Sequence, residues 1–316
     1  MDSQLGFIGL GQMGQAITAN LVAKAGLRSP LVLYNRNRQR AEKHSSKIGH
    51  SLVARDLAEL VSTCDIIWTC LEDEKAVCEV FAEILKLDLG GKLFVECSTI
   101  LPHAMCQIAQ RIQDGDANVV AMPVFGEPSM ARKGLLVCVP AGPKSCVERI
   151  RPYLIDVICR AVVDLSGEEP AKSCLLKCIG NVLIMTTIEQ IAEAHVFAEK
   201  SGLGTKHMAS LIETIFPRPP HTVYSSNMVS GDYAKGGSIV GVAKARTLTS
   251  QILDLALASR TSLKSYKVAV DHLAVAEAHA GPQCDIMGIY GAVRVENGLP
   301  FSQGGCWKEH EPSGNA

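Results

Sequence analysis

A glycine-rich turn near the N-terminus constrains the fold of this chain more than any other stretch. The apolar run at residues 5–10 has strand character and contains the first of three glycines, Gly9, Gly11 and Gly14. Residues 15–22 then follow a helical pattern. A strand, a Gly-x-Gly-x-x-Gly turn and a helix in this order are typical of a dinucleotide-binding βαβ unit, in which the helix N-terminus faces the phosphates.

Each glycine has a separate task in such a turn. Gly9 permits the tight turn out of the strand, Gly11 lets the backbone approach a pyrophosphate, and Gly14 lets the helix pack closely on the strand. We therefore predict that the cofactor contacts of this turn are Gly9, Gly11, Gln12, Met13 and Gly14.

The second predicted strand, residues 31–34, ends in a basic turn. A site for NAD usually carries an Asp or Glu here, which accepts a hydrogen bond from the ribose 2′-hydroxyl. This chain has Asn35, Arg36 and Arg38 instead. A guanidinium group suits a 2′-phosphate, so the sequence favours NADP over NAD, with these three residues as cofactor contacts. The alternative is a basic turn whose side chains simply face water.

Length and composition narrow the class of protein. A chain of 316 residues suits two domains, and a net charge of −1 with dispersed basic residues gives no reason to expect nucleic-acid or acidic-membrane partners. The 12 cysteines lack metal-site spacing and are interpreted as free thiols in a reducing compartment, without a bound metal. No run of 18 apolar residues is present, and the first strand leaves no room for a signal peptide, so we expect a cytoplasmic protein that does not span a membrane.

Residues 1–165 alternate short apolar runs with helical stretches, which predicts an α/β domain of the Rossmann type with a doubly wound parallel sheet. Strands are expected at 65–71, 91–97, 118–124 and 135–141, and helices near 37–48, 56–63, 74–86, 102–113 and 143–153. Ligands bind at the carboxyl ends of strands in such sheets. One rim should therefore hold the glycine turn together with Leu71, Glu72, Ser98, Thr99, Phe125 and Gly126.

The pattern changes in the second part of the chain. Residues 171–201 have helical periodicity between Pro170 and Gly202, which predicts a long connecting helix. The second domain, 166–305, is expected to be all-helical, and the polar tail 306–316 is expected to be disordered. Within this domain we interpret His195 as a solvated or packing residue and His272 as a surface residue.

Several motifs together resemble the β-hydroxyacid dehydrogenase family, which includes 3-hydroxyisobutyrate dehydrogenase and shares its NADP-binding domain type with 6-phosphogluconate dehydrogenase. The resemblance covers nearly the whole chain. The matching stretches are GFIGLGQMG at 6–14, ECSTILP at 96–102 for the family's D-x-S-T-x-x-P, MPVFGE at 122–127 for A-P-V-S-G-G, KCIGN at 177–181 for K-x-x-x-N, and IYGAVR at 289–294, which is similar to a fungal branch.

Lys177 is the candidate catalytic residue. It shares one helix face with Asn181, and the face continues through apolar residues, so a lysine there is costly without a partner. From the residues alone, a snorkelling lysine at the helix end or a salt bridge is the better interpretation. The family resemblance implies that Lys177 is the general acid or base of a hydride-transfer reaction.

The resemblance also assigns roles to the rim. Ser98, Phe125, Gly126 and Asn181 are expected to contact a small-molecule substrate, while Leu71, Glu72 and Thr99 are expected to contact the cofactor. A serine–threonine turn that caps the next helix would explain Ser98 and Thr99 equally well, and both roles are compatible. The resembling enzymes assemble through the helical domain, which implies a homodimer or a dimer of dimers.

Two departures from the family pattern affect the choice of reaction. The family's late Lys-Asp pair is absent, and Phe125-Gly126-Glu127 replaces Ser-Gly-Gly. The leading hypothesis is an NADP-dependent dehydrogenase or reductase of a β-hydroxyacid or a related small carbonyl compound. The alternatives are an imine reductase on the same fold, against which Lys177 argues, and a non-catalytic NADPH-binding regulatory or scaffold protein.

Overall fold

The computed structural model describes residues 3–234 and 240–302, so the predicted tail 306–316 lies outside the described residues. The chain divides into two compact units, Met1–Ile179 and Gly180–Ala316.

The first unit contains alternating strands and helices. Its strands are β1 Leu5–Ile8, β2 Leu31–Tyr34, β3 Ser51–Val53, β4 Ile66–Thr69, β5 Leu93–Glu96, β6 Asn118–Ala121, β7 Val124–Phe125, β8 Leu136–Cys138, β9 Ala141–Gly142, β10 Cys159–Val162 and β11 Leu165–Ser166. Its helices are α1 Gln12–Lys24, α2 Arg38–Ile48, α3 Leu57–Thr63, α4 Glu74–Ile84, α5 Pro102–Asp114, α6 Pro128–Lys133, α7 Lys144–Ile150 and the first turns of α8 Pro170–Lys200.

The main sheet has the strand order β11-β9-β6-β5-β4-β1-β2-β3. Strands β1 to β6 pair in parallel, and the order reverses between β1 and β4. This is the doubly wound order, and sheets of this kind bind their ligands at the reversal point. The predicted Rossmann-type fold is therefore confirmed.

Two predicted strands are each divided in the structure. The run 118–124 separates into β6 and β7 around Pro123, and the run 135–141 separates into β8 and β9 around Pro140. Proline has no N–H group for a sheet ladder, which explains both breaks. Strands β7, β8 and β10 form a separate small sheet, while β9 returns to the main sheet antiparallel to β6.

Apolar side chains cover both faces of the main sheet. Along β4, Trp68 belongs to one buried cluster and Ile67 to another. Along β5, Val95 and Phe94 divide in the same way. Successive strand residues point to opposite faces, so this division shows a core on each side of the sheet, as a parallel sheet flanked by helices requires.

Helix α8 begins in the first unit. Ala171 and Cys174 belong to the sheet core, and the Ser173 hydroxyl donates to the Val139 carbonyl oxygen at 2.7 Å. The first unit extends to Ile179 and so includes these first turns of α8. The domain boundary at residue 165 stays a prediction.

By length and composition alone, α8 could cross a membrane. Its most apolar 18 residues have a mean hydropathy of 1.4, and 33 % of that window is buried inside the structure. A core helix of a protein that never enters a membrane passes the same test, so this finding is weak evidence. The expectation that nothing spans a membrane stays a prediction.

The described part of the second unit is helical, as predicted. After the remainder of α8 it contains α9 Thr205–Ile215, α10 His221–Ser230, α11 Val242–Ala258, α12 Lys264–Ala280 and α13 Ile289–Glu296.

The predicted surface position of His272 is wrong. His272 is buried in α12, where Nδ1 lies 2.8 Å from Glu189 Oε1 and Nε2 lies 3.1 Å from Glu296 Oε2. The hydrogen bond to Glu189 holds the pKa of the imidazole above its ordinary value. The sequence pattern could not show this, because both partners lie on other helices.

The glycine turn fixes how closely α1 approaches the sheet. Gly9 has φ +99°, and a Cβ atom there would lie 2.3 Å from the Cys70 carbonyl oxygen. A Cβ atom at Gly14 would lie 2.0 Å from the Gly9 carbonyl oxygen. Both positions therefore require glycine, the first for its backbone conformation and both for space.

We expect Gly14→Ala to destabilise the protein by roughly 1–3 kcal/mol, because the new methyl group meets backbone that cannot move aside without shifting the turn. Gly11→Ala is the matched control. A Cβ atom at Gly11 has nothing within 4 Å, so its cost should stay below about 1 kcal/mol, as for an ordinary N-cap change. Denaturant unfolding of both variants measures the difference, and equal losses would contradict this account of the turn.

Candidate active site

The N-terminus of α1 offers a cradle for a phosphate group. Gly11 is the N-cap residue of α1, and the space beside its Cα is open, in contrast to that at Gly9 and Gly14. Gln12 is exposed and Met13 partly exposed at the start of the helix. The first N–H groups of a helix attract anions, so these residues fit the pyrophosphate of a dinucleotide.

Asn35 joins the end of β2 to the glycine turn. Its Oδ1 atom accepts from the Leu10 N–H at 3.0 Å, and its Nδ2 atom donates to the Asn37 carbonyl oxygen at 3.0 Å. Asn37 in turn caps α2 by accepting from the Arg40 N–H. The end of β2 is therefore held in a fixed position beside the predicted phosphate cradle.

The two arginines predicted to contact a cofactor differ in their surroundings. Arg38 lies within α2 and pairs with Glu42 at 2.8 Å. Arg36 is exposed, and within residues 3–234 and 240–302 it forms no ion pair. Arg36 is thus the better placed of the two to meet a ligand phosphate.

The buried side chain of Glu96 connects the C-terminal ends of β4 and β5. Glu96 accepts from the Ser98 N–H at 2.5 Å and from the Thr69 hydroxyl. The Ser98 hydroxyl accepts from the Leu71 N–H at 2.8 Å. Burial raises the pKa of Glu96 to about 7, against the opposing effect of these hydrogen bonds.

We did not assign a role to Glu96 from the sequence, although the residue stands in the first position of a matched motif. The sequence indicates such a role, because Glu96 follows three apolar residues of β5 and precedes Cys97. An ionisable residue in a buried strand of this kind needs a hydrogen-bond partner. The structure also shows that Ser98 is buried and already hydrogen-bonded, with Thr99 partly exposed beside it. The predicted substrate contact of Ser98 stays a prediction.

Strand β7 and the turn after it carry the residues that depart from the family pattern. Phe125 is partly exposed and Gly126 is exposed. The Glu127 carboxylate accepts a hydrogen bond from the Ser129 hydroxyl at the start of α6. Glu127 is therefore engaged by its own turn.

Lys177 reaches β7 from the second turn of α8. Its Nζ atom donates to the Val124 carbonyl oxygen at 2.9 Å and lies 4.1 Å from the centroid of the Phe125 ring. The residue keeps some exposed surface, but loss of solvation around its ammonium group lowers the pKa of Lys177 to about 8. No salt bridge to Lys177 occurs within the described ranges, so its partners are a carbonyl group and a ring.

Asn181 follows one turn later on the same helix, in the second unit, and is partly exposed. Its role at a substrate stays a prediction. Among residues 3–234 and 240–302, no group of three or more His, Cys, Asp or Glu side chains could hold a metal ion.

Comparisons with known proteins identify the family of this chain. Residues 4–166 match the family model for the NAD-binding domain of 6-phosphogluconate dehydrogenase. The chain is 46 % identical over 290 residues to the NADH-dependent oxidoreductase ucdB of Aspergillus ustus, with 92 % of this chain and 99 % of that protein covered.

Two solved structures share the fold. The 3-hydroxyisobutyrate dehydrogenase of Mycobacterium tuberculosis with L-serine has a TM-score of 0.78 at 22 % identity, covering 93 % of this chain and 100 % of that chain. An imine reductase of Streptomyces aurantiacus has a TM-score of 0.60 at 19 % identity, covering 92 % and 98 %. The family prediction is confirmed: this chain belongs to the NAD(P)-binding oxidoreductase family defined by the NAD-binding domain of 6-phosphogluconate dehydrogenase, and it shares its fold with a 3-hydroxyisobutyrate dehydrogenase.

Proposed function

We propose that this protein is an NADP(H)-dependent oxidoreductase that transfers a hydride between nicotinamide and a β-hydroxyacid, or a related small alcohol or carbonyl compound, with Lys177 as general acid and base. The observation that carries the proposal is the desolvated Lys177 ammonium group at the end of β7, with its pKa lowered to about 8. Strongly shifted lysines are frequent at catalytic sites because both protonation states are then accessible.

The bound nicotinamide would supply or accept the hydride. Lys177 would handle the proton. In reduction its ammonium group donates to the developing alkoxide, and in oxidation its neutral amine accepts the proton of the alcohol. The Val124 carbonyl can only accept a hydrogen bond, so it fixes the position of Nζ without competing for the proton.

The remaining rim residues would bind and orient the ligands. Asn181 and the Gly126 N–H are proposed to hold the substrate together with Ser98, whose hydroxyl already accepts from the Leu71 N–H and would have to donate its own hydrogen to the substrate. Thr99 is proposed to lie beside the nicotinamide.

The preference for NADP rests on Arg36. It is exposed immediately after β2, and the first carboxylate of α2, Glu42, is paired with Arg38. Among the described residues, the end of β2 thus offers no unpaired carboxylate to accept a hydrogen bond from a ribose 2′-hydroxyl, while the Arg36 guanidinium group can bind a 2′-phosphate. The name of the Aspergillus ustus relative favours NADH instead, so the preference needs a direct measurement.

The substrate is proposed to be larger or more apolar than a small hydroxyacid, or to lack a carboxylate at the β7 end. Phe125 offers no hydroxyl donor there. The hydrogen bond from Ser129 engages the Glu127 carboxylate, so repulsion between Glu127 and a substrate carboxylate is weaker, and the substrate proposal rests on Phe125.

An imine reductase and a non-catalytic NADPH-binding protein are the alternative functions. Turnover of cyclic imines would favour the first, and tight NADPH binding without turnover of aldehydes, keto acids or imines would favour the second.

We also propose a cytoplasmic location and a homodimer or dimer of dimers, and helix α8 supports the proposed assembly. Four apolar residues on one stripe of α8 are exposed, namely Leu175 at 38 %, Ile179 at 50 %, Leu183 at 66 % and Phe197 at 75 %. Their spacing places them within about a quarter of the helix circumference. A stripe of this kind suits an isologous contact with the same helix of a second copy.

Lys177→Ala should lower kcat about 10²- to 10⁴-fold on whichever substrate of the aldehyde, keto acid and imine panel is turned over, because the proton transfer in reduction loses its donor. NADPH affinity should be unchanged. The control is Lys172→Ala on the same helix, since Lys172 is exposed and pairs with Glu168. In the wild type, reduction should fall as the pH rises through about 8, where the ammonium form is lost. Near-full kcat in Lys177→Ala would exclude the catalytic role.

Arg36→Asp should weaken NADPH binding about tenfold or more and improve NADH binding, because the carboxylate repels a 2′-phosphate and accepts from a 2′-hydroxyl. Arg40→Asp, which makes the same charge change at an exposed position of α2, should leave the NADPH-to-NADH ratio of dissociation constants nearly unchanged. Fluorescence titration with both cofactors gives these constants. If both variants changed the ratio of dissociation constants equally, the cofactor preference would depend on the net charge of the turn and not on Arg36 itself.

Leu183→Glu should shift the proposed dimer towards monomer at micromolar concentration, because it places a charge in the centre of the apolar stripe. Leu257→Glu changes a residue that is 76 % exposed on α11 and serves as the control. Light scattering coupled to size-exclusion chromatography measures both. A monomeric wild type would refute the dimer.

A further inference from the structure

Strand β7 supplies both partners of the Lys177 ammonium group. The Val124 carbonyl oxygen accepts from Nζ at 2.9 Å, and the centroid of the next residue's ring, Phe125, lies 4.1 Å from Nζ. All three residues belong to the first unit. A cation within about 6 Å of a ring centroid is attracted by the negative face of the ring.

Charged groups contribute little to the electrostatic surroundings of the Lys177 ammonium group. Among the described residues, the titratable group that acts on the Lys177 charge is the neighbouring Cys178 thiol on α8, and its effect is secondary to the loss of solvation. The nearest carboxylate along β7 and its turn, Glu127, is engaged by Ser129. The ammonium form of Lys177 is therefore held by one carbonyl group and one aromatic ring.

We propose that Phe125 is a positioning residue, whose ring holds the Lys177 ammonium group against the Val124 carbonyl and favours its protonated form. The proposal rests on the proposed function, in which Lys177 exchanges a proton with the substrate. The ring attracts the cation by its quadrupole and has no such attraction for the neutral amine. The carbonyl, by contrast, can accept a hydrogen bond from either form.

This difference gives Phe125 a specific effect on the reaction. Loss of solvation pushes Lys177 towards the neutral amine, and the ring opposes that tendency. The range of pH in which Lys177 can act as an acid then extends further upward than burial alone would allow. A serine at this position, as in the resembling family pattern, would place no π face under the ammonium group.

The test is an NMR titration of the lysine ¹³Cε signals of the full chain, with Lys177→Ala to assign the signal of Lys177. Phe125→Leu removes the ring but keeps an apolar side chain, and Phe125→Tyr keeps an aromatic face. We expect the titration midpoint of Lys177 to fall by about one pH unit in the leucine variant and to stay near the wild-type value in the tyrosine variant. Phe125→Met, which also lacks a ring, replaces the leucine variant if that variant does not fold.

An unchanged midpoint in a folded leucine or methionine variant would overturn the proposal, as would equal shifts in the leucine and tyrosine variants. The titration needs neither substrate nor turnover, so its outcome is separate from that of the proposed function. A downward shift combined with full turnover in Lys177→Ala would keep the contact and refute the catalytic role. A downward shift combined with loss of turnover would support both, and the pH at which reduction declines should then move down in the leucine variant.

Discussion

The close pairing of β1 with β4, at the point where the strand order reverses, is the constraint on which the rest of the site depends. The Cys70 N–H donates to the Ile8 carbonyl oxygen at 2.9 Å, and the Cys70 carbonyl then lies so near Gly9 that no side chain fits there. The turn therefore leaves β1 at one angle only, which sets the direction of α1 and of its open N-terminus at Gly11. The same pairing places Leu71 beside the turn, where its N–H group meets Ser98.

Loss of solvation acts on two ionisable groups of the first unit, Glu96 and Lys177, with different consequences for their roles. Loss of solvation penalises charge, so it raises the pKa of Glu96 to about 7 and lowers the pKa of Lys177 to about 8. Glu96 is surrounded by donors from Thr69 and Ser98, and these bonds tie neighbouring strand ends together. Lys177 has three N–H donors and a single hydrogen-bond acceptor in the described structure, which leaves capacity for a ligand. The satisfied group suits a structural role, and the incompletely satisfied group suits a reactive one.

The sequence predicted what depends on local pattern and missed what depends on distant partners. The glycine turn, the central strands with their helices and the long helix were predictable, because periodicity and turn residues specify them, whereas the short elements β3, α6, β10 and β11 were not predicted. The breaks at Pro123 and Pro140 were predictable in principle, but which sheet each fragment joins depends on pairing across the fold. The partner of Lys177 is 53 residues away, and the partners of His272 are 83 and 24 residues away. A single sequence shows that such groups need partners, but it cannot identify them.

Helix α8 shows why composition alone is a poor guide to the environment of a segment. Along its first turns, Cys174 and Cys178 are buried while Leu175 and Ile179, each about 100° further round the helix, are exposed, so apolar residues occupy two different sides of one helix. Both sides add to the hydropathy of the helix, whose most apolar 18 residues average 1.4, although only the buried side is explained by the core of the first unit. The exposed side continues through Leu183 to Phe197, and it forms the apolar stripe on which the proposed dimer contact rests. Lys177 lies two positions after Leu175, which is about 200° round the helix, so it faces away from the exposed stripe and towards β7.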